Sequence, residues 1–139
     1  MFATLHLSGV VRAFDAAGMP GASVAVGDGP AQLAVTPDGE TIITANRLDG
    51  SVSLIDASGF VERARIPLGE SFPHGVAVAP DGSMAFVTFE GSTTTAGGAV
   101  GIDVADGRVL WKTAVGSATL GVAFVEHGSR GGGSTESSQ

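Results

Sequence analysis

The chain of 139 residues has no cysteine and no tyrosine, a single lysine, a single tryptophan, and only 15% charged residues. Each scarcity removes a class of protein. Without cysteine there is no disulfide framework and no thiolate metal site, although that absence suits reducing and oxidising compartments alike. A formal charge of −7, with Lys112 as the lone lysine, leaves no cationic surface for neutralising phosphates, so nucleic acid is not an expected partner. No apolar run reaches the length of a membrane span, and the opening MFATLHLSGVVRAFD lacks the charged flank and continuous apolar segment of a signal peptide. The compartment is left open. There is no nucleophile elbow, phosphate loop or paired-histidine metal motif, and no cofactor or metal is expected. Helical 3.6-residue periodicity is missing from every window.

What the chain does have is glycine, 22 residues of it, in a sequence that is 43% hydrophobic. Short buried strands joined by tight turns use both, so the expected class is all-β, with one domain and one core at this length. The sequence is organised around residues 68–82, LGESFPHGVAVAPDG. An earlier copy, VGDGPAQLAVTPDG, covers residues 26–39, and a degraded later one, VGSATLGVAFVEHG, covers 115–128. Each copy reads as a link, an apolar strand and a Pro-Asp-Gly turn, in which proline presets φ and glycine accepts the left-handed conformation. Asp38-Gly39 and Asp81-Gly82 are the turn pairs.

Taken in order, strands are expected at residues 2–7, 10–15, 22–26, 32–36, 41–46, 51–56, 61–68, 76–79, 84–89, 99–104, 109–115 and 120–125. The intervals can be counted. Gly27 to Gly69 is 69 − 27 = 42 residues and Gly69 to Gly116 is 116 − 69 = 47, the excess matching a longer loop after Glu90. Asp15, Asp56 and Asp103 keep the same phase at the ends of successive third strands, where a carboxylate can accept backbone N–H bonds of the following turn. Four strands about every 42 residues is the signature of a propeller blade.

These copies resemble the YVTN family of β-propeller repeats: Pro37-Asp38-Gly39, Ala45-Asn46, residues 52–56, residues 69–75 and Pro80-Asp81-Gly82 carry the likeness over residues 22–116. Phe89 departs from it where Asn46 has its counterpart, and Glu126-His127-Gly128 departs at the last turn. The resemblance implies a fold, namely a β-propeller segment of four-stranded antiparallel blades, and leaves function diverse. Blades are expected near residues 27–68 and 69–115, with a composite blade from the two ends, making one module over 1–130 followed by a flexible Gly/Ser tail at 131–139. Three blades are too few to close a ring. Self-association into a six-bladed dimer, with residues 120–125 completing the first blade of a neighbouring copy, is one expectation. A piece of a longer propeller is the other.

His74 is the most suggestive single residue, read in the connection between blades with Gln32 and Leu120 as counterparts, and with His6 and His127 far away. A general-base or metal role needs a second converging group; a polar residue bonded to neighbouring backbone is the plainer account. Arg47 and Glu90 occupy equivalent hairpin loops and, with His74 and Gln32, could bind a ligand on the channel face. Residues 101–111, GIDVADGRVLW, resemble the tryptophan-docking motif of quinoprotein propellers. That resemblance implies packing of Trp111 on the next blade, with Asp103 anchoring the turn; it occurs once, since Ala22 and Arg63 stand in the tryptophan region of the other copies. Two function classes follow. One is a non-catalytic scaffold binding a protein partner, its own copy or a ligand; the other is a lactonase-like or quinoprotein-like enzyme using the channel face.

Overall fold

A computed structural model describes residues 1–69 and 72–116. Within them are the strands β1 (Phe2–Leu5), β2 (Val10–Phe14), β3 (Pro20–Ala25), β4 (Pro30–Val35), β5 (Thr41–Asn46), β6 (Ser51–Asp56), β7 (Val61–Pro67), β8 (Pro73–Val78), β9 (Met84–Phe89), β10 (Gly97–Asp103) and β11 (Val109–Gly116). They form three antiparallel meanders in which every strand pairs with its sequence neighbours: β1-β2-β3, β4-β5-β6-β7 and β8-β9-β10-β11. The architecture is all-β and of propeller type. The two four-stranded sheets coincide with the blades expected from the 42-residue interval. The expected strand at 120–125, the turn at 126–128 with His127, and the tail at 131–139 lie outside the described residues.

Local chemistry sets the turns. Gly39 and Gly82 adopt φ of 75° and 76°, and Asp38 and Asp81 brace their turns by accepting the N–H groups of Glu40 and Ser83 at 2.9 and 3.0 Å. Asp15, Asp56 and Asp103 act alike at the ends of β2, β6 and β10, accepting from the N–H groups of Ala17, Ser58 and Ala105 at 2.9, 3.1 and 2.9 Å. Most strand limits differ from the sequence reading by one to three residues, and two of these shifts have a local cause. The first strand stops at Leu5 because the N–H groups of Ser8 and Gly9 both bond its carbonyl, which places Leu7 in a hairpin turn, 98% exposed. His74 lies inside β8 rather than in a connection, because Pro73 pairs with Phe89 and carries the ladder back past the histidine.

The sheets stack face to face. Ile43, Ala45, Val52 and Leu54 of the second sheet meet Val76, Ala85, Val87, Val100 and Ile102 of the third in one buried cluster. On its other face the second sheet offers Ile42 and Ile55 to Val11 of the first, with Phe2 stacked on Phe60 at 5.8 Å between ring centroids. Alternation along β5 and β6 thus buries side chains on both faces, the polar Thr44, Asn46, Ser51 and Ser53 among them. Polar residues admitted to this interior are bonded in large part, although Asn46 Oδ1 is buried with no partner among the described residues. The Asn46 amide donates to Ser51 Oγ and Ser53 Oγ at 3.0 and 2.9 Å, and those hydroxyls donate in turn to Asp49 and Glu62.

Cross-strand pairing explains the departure at Phe89. Asn46 sits opposite Ser51, whereas Phe89 sits opposite Gly98, and a Cβ on Gly98 would come within 2.8 Å of the Phe89 ring. Volume added on one strand is removed on its neighbour.

Two substitutions should separate conformational strain from contact. Gly39 has nothing near its missing Cβ, so Gly39→Ala should destabilise by about 1 kcal/mol through its left-handed φ alone. Gly50, at φ 68°, faces the Gly69 carbonyl oxygen, so Gly50→Ala should destabilise by more than about 3 kcal/mol. Urea midpoints with matched m-values measure both; equal losses would contradict the close approach of the 47–50 turn to Gly69.

Candidate functional site

The first strands of neighbouring sheets lie together: β4 packs on β8, and β1 on β4. The hairpin turns and the links between sheets gather at one end of these strands. The N–H of Arg47 bonds Gly29 O at 2.9 Å, those of Leu48 and Asp49 bond Asp28 O at 3.1 Å, and that of Glu90 bonds Phe72 O at 3.0 Å. Each hairpin turn is therefore fastened to the link that enters its own sheet.

From this frame Arg47 reaches across to the next sheet. Its Nε and Nη2 donate to Glu90 Oε2 and Oε1 at 2.5 and 2.9 Å, a two-pronged pair that joins the second and third sheets. Arg47 and Glu90 hold the same position in successive repeats, 90 − 47 = 43 residues apart, so the pair forms between equivalent loops. The guanidinium carbon also lies 5.5 Å from the centre of the Phe72 ring. Phe72 itself adopts φ of 51°, a left-handed conformation that stores roughly 1–2 kcal/mol of strain in a residue with a bulky Cβ. The sequence gives no warning of this residue's part, because a phenylalanine in a link reads as ordinary apolar filling.

Electrostatics follow from that contact. The hydrogen bonds from Arg47 hold the Glu90 carboxyl below its ordinary value of 4.5, with the charge of Arg47 and of His74 adding to the effect. The same bonds push the Arg47 guanidinium up. His74 is half-buried in β8 and close enough to Glu90 for its charge to be felt. Gln32 is exposed on β4, and its carbonyl accepts from Thr44 Oγ1 at 3.0 Å. Register corrects one equivalence: Pro30 pairs with Asn46 as Pro73 pairs with Phe89, so the counterpart of His74 is Ala31 and that of Gln32 is Gly75. His6 sits one repeat before Arg47, with Nδ1 at 3.3 Å from Pro30 O. Arg47, Glu90 and His74 are thus brought together, while His6 belongs to the junction of the first and second sheets.

Trp111 lies elsewhere. Its ring sits on Phe86, 5.0 Å between centroids, and over Gly101, whose absent Cβ would meet the indole at 2.5 Å. Both contacts are within its own sheet. Trp111 faces Gly101 as Ala64 faces Leu54, so Ala64, rather than Arg63, is its counterpart in the second sheet.

A carboxylate held ionised by a guanidinium that it fully engages is a poor proton acceptor and a firm recognition element. With side chains 34% and 20% exposed, the Arg47–Glu90 pair should show a coupling of about 0.5–1 kcal/mol in a double-mutant cycle of Arg47→Ala and Glu90→Gln at pH 7. Because the carboxyl titrates below its unfolded value, this stabilisation is complete above pH 4.5 and is lost as pH falls through the folded value. Urea denaturation at pH 7 and at steps below pH 4.5 checks this. A coupling that stays constant as the carboxyl protonates would contradict the ionic account.

No protein-family model and no curated protein matches the chain. Solved structures do. A hydrazine synthase chain from Kuenenia stuttgartiensis aligns with a TM-score of 0.76 at 22% identity, over 83% of this chain and 34% of that one. The dihydro-heme d1 dehydrogenase NirN, solved with DHE, aligns with a TM-score of 0.68 at 22% identity, over 84% of this chain and 25% of that one. A protein of unknown function from Desulfotomaculum acetoxidans DSM 771 aligns with a TM-score of 0.63 at 20% identity, over 83% and 38%. The chain spans 25–38% of the length of these structures, and the likeness is one of fold: the hydrazine synthase and NirN are β-propeller-type proteins.

Proposed function

We propose that this chain is a non-catalytic β-propeller repeat module of YVTN type that binds a protein or ligand at the end of the sheets where Arg47, Glu90, His74 and Gln32 lie. The observation that carries the reading is the Arg47–Glu90 clamp. It ties two successive sheets at 2.5 and 2.9 Å, is backed by Phe72, and holds its carboxyl in the ionised state. A general base works best with a pKa near the ambient pH, and this carboxyl is shifted the other way. Such a clamp presents a preorganised polar rim, and preorganisation is what gives a binding surface its affinity. The module works as part of a larger ring, completed by self-association or by further blades of a longer propeller.

The competing enzymatic reading, a lactonase-like or quinoprotein-like site, takes its support from structural neighbours that include a hydrazine synthase and a dehydrogenase. At 22% identity and below, that support extends to the fold.

A panel of acidic, basic and neutral ten-residue peptides, titrated against purified protein by fluorescence anisotropy, tests the reading. One charge class should bind in the micromolar range, and Arg47→Ala should weaken it at least tenfold. A metal or chromophoric cofactor found in stoichiometric amount by elemental analysis and absorbance would favour the enzyme instead.

A further inference from the structure

Each sheet has one face toward the preceding sheet and one toward the following sheet. Between the second and third sheets these faces are Ile43, Leu54 and their neighbours on one side, and Val87, Val100 and Ile102 on the other, all buried. The first sheet's backward face and the third sheet's forward face have no such partner sheet among the described residues. Both carry the chemistry of an interface.

On the third sheet the forward face is built from Phe86, Gly101 and Trp111, with Ala77 and Ala99 beside them. By register Gly101 and Trp111 take the places of Leu54 and Ala64, which pack inside the interface between the second and third sheets. Trp111, however, is 36% exposed and lies over Phe86 with the planes tilted by 58°. On the first sheet the backward face carries Arg12, between Val10 and Phe14 on β2 and opposite Ala3 on β1. Arg12 takes the place of Ser53 and Val100, since 53 − 12 = 41 and 100 − 53 = 47, and both of those are 0% exposed inside an interface. The Arg12 Nε is buried and has no hydrogen-bond partner among the described residues. A half-buried arginine whose Nε is cut off from water without a partner calls for an aromatic face or an acceptor, and the exposed Trp111 ring offers the aromatic face.

We infer that the occupant of the third sheet's forward face is the first sheet of a second copy of this chain, with the Arg12 guanidinium of one copy laid over the exposed Trp111 ring of the other. The two end faces correspond, position for position, to the two sides of the interfaces the chain already makes within itself. Two copies joined head to tail at both contacts close on themselves. The inference rests on the module reading above and adds to it the identity of the partner and the residues that meet.

Light scattering of the full-length chain, combined with the emission of its sole tryptophan across a dilution series, tests this. The expected result is a particle of twice the 13.7 kDa chain mass, whose emission shifts to the red as dilution lowers the mass. Arg12→Ala should raise the dimer dissociation constant at least tenfold, with far-UV circular dichroism and the urea midpoint confirming that the variant folds. Should that variant fold poorly, Trp111→Ala on the exposed edge strand gives the same readout in mass. A dimer unaffected by both variants, with emission independent of dilution, would overturn this interface and leave self-association standing. A monomer at every concentration would overturn both, and would favour a longer propeller as the source of the missing blades.

Discussion

The structure depends on the burial of one sheet's apolar face against the next. Ile43 and Leu54 can leave water only because Val87, Val100 and Ile102 stand opposite them, and the other side of the same sheet repeats the arrangement with Ile42, Ile55 and Val11. A four-stranded sheet with both faces apolar cannot exist alone, so each unit requires neighbours on both sides. That requirement makes the chain a repeat protein, and it gives its end faces meaning. The Asn46–Ser51–Ser53 network belongs to the same constraint, since polar donors between stacked sheets need acceptors there, and the Asn46 amide N–H groups find theirs in the two serine hydroxyls.

Stacking also creates the candidate site. Because equivalent loops are carried around by the same rotation from one sheet to the next, residues 43 positions apart come within hydrogen-bonding reach. Arg47 and Glu90 exploit this with opposite charges, and the intervening link supplies Phe72 in a conformation that phenylalanine rarely adopts. The clamp lies where strand ends and links converge, so its geometry is fixed by the cores on either side.

How legible this was in the sequence follows from how local each determinant is. The strands at 41–46, 51–56 and 84–89 are bounded by Asp-Gly or Pro-Asp-Gly turns, whose chemistry acts within four residues, and they could be read directly. The start of β8 could not, because Pro73 extends the ladder by pairing with Phe89, sixteen residues away. The stop at Leu5 was masked by the alternating pattern that continues through Leu7, which only the hairpin bonds of Ser8 and Gly9 break. The equivalence of Arg47 and Glu90 was visible in the repeat, whereas their contact depends on how two sheets pack. Phe72 carried no signal, and the exchange of Asn46–Ser51 for Phe89–Gly98 shows only when the two strands are seen side by side.

Native-state hydrogen exchange measures the central dependence most directly. If stacking stabilises each sheet, the amides of β5, β6, β9 and β10 should exchange last and with one common opening free energy, and Leu54→Ala should lower protection in β9 and β10 as much as in β5 and β6. Independent exchange of the second and third sheets, with the Leu54→Ala effect confined to the second, would contradict it.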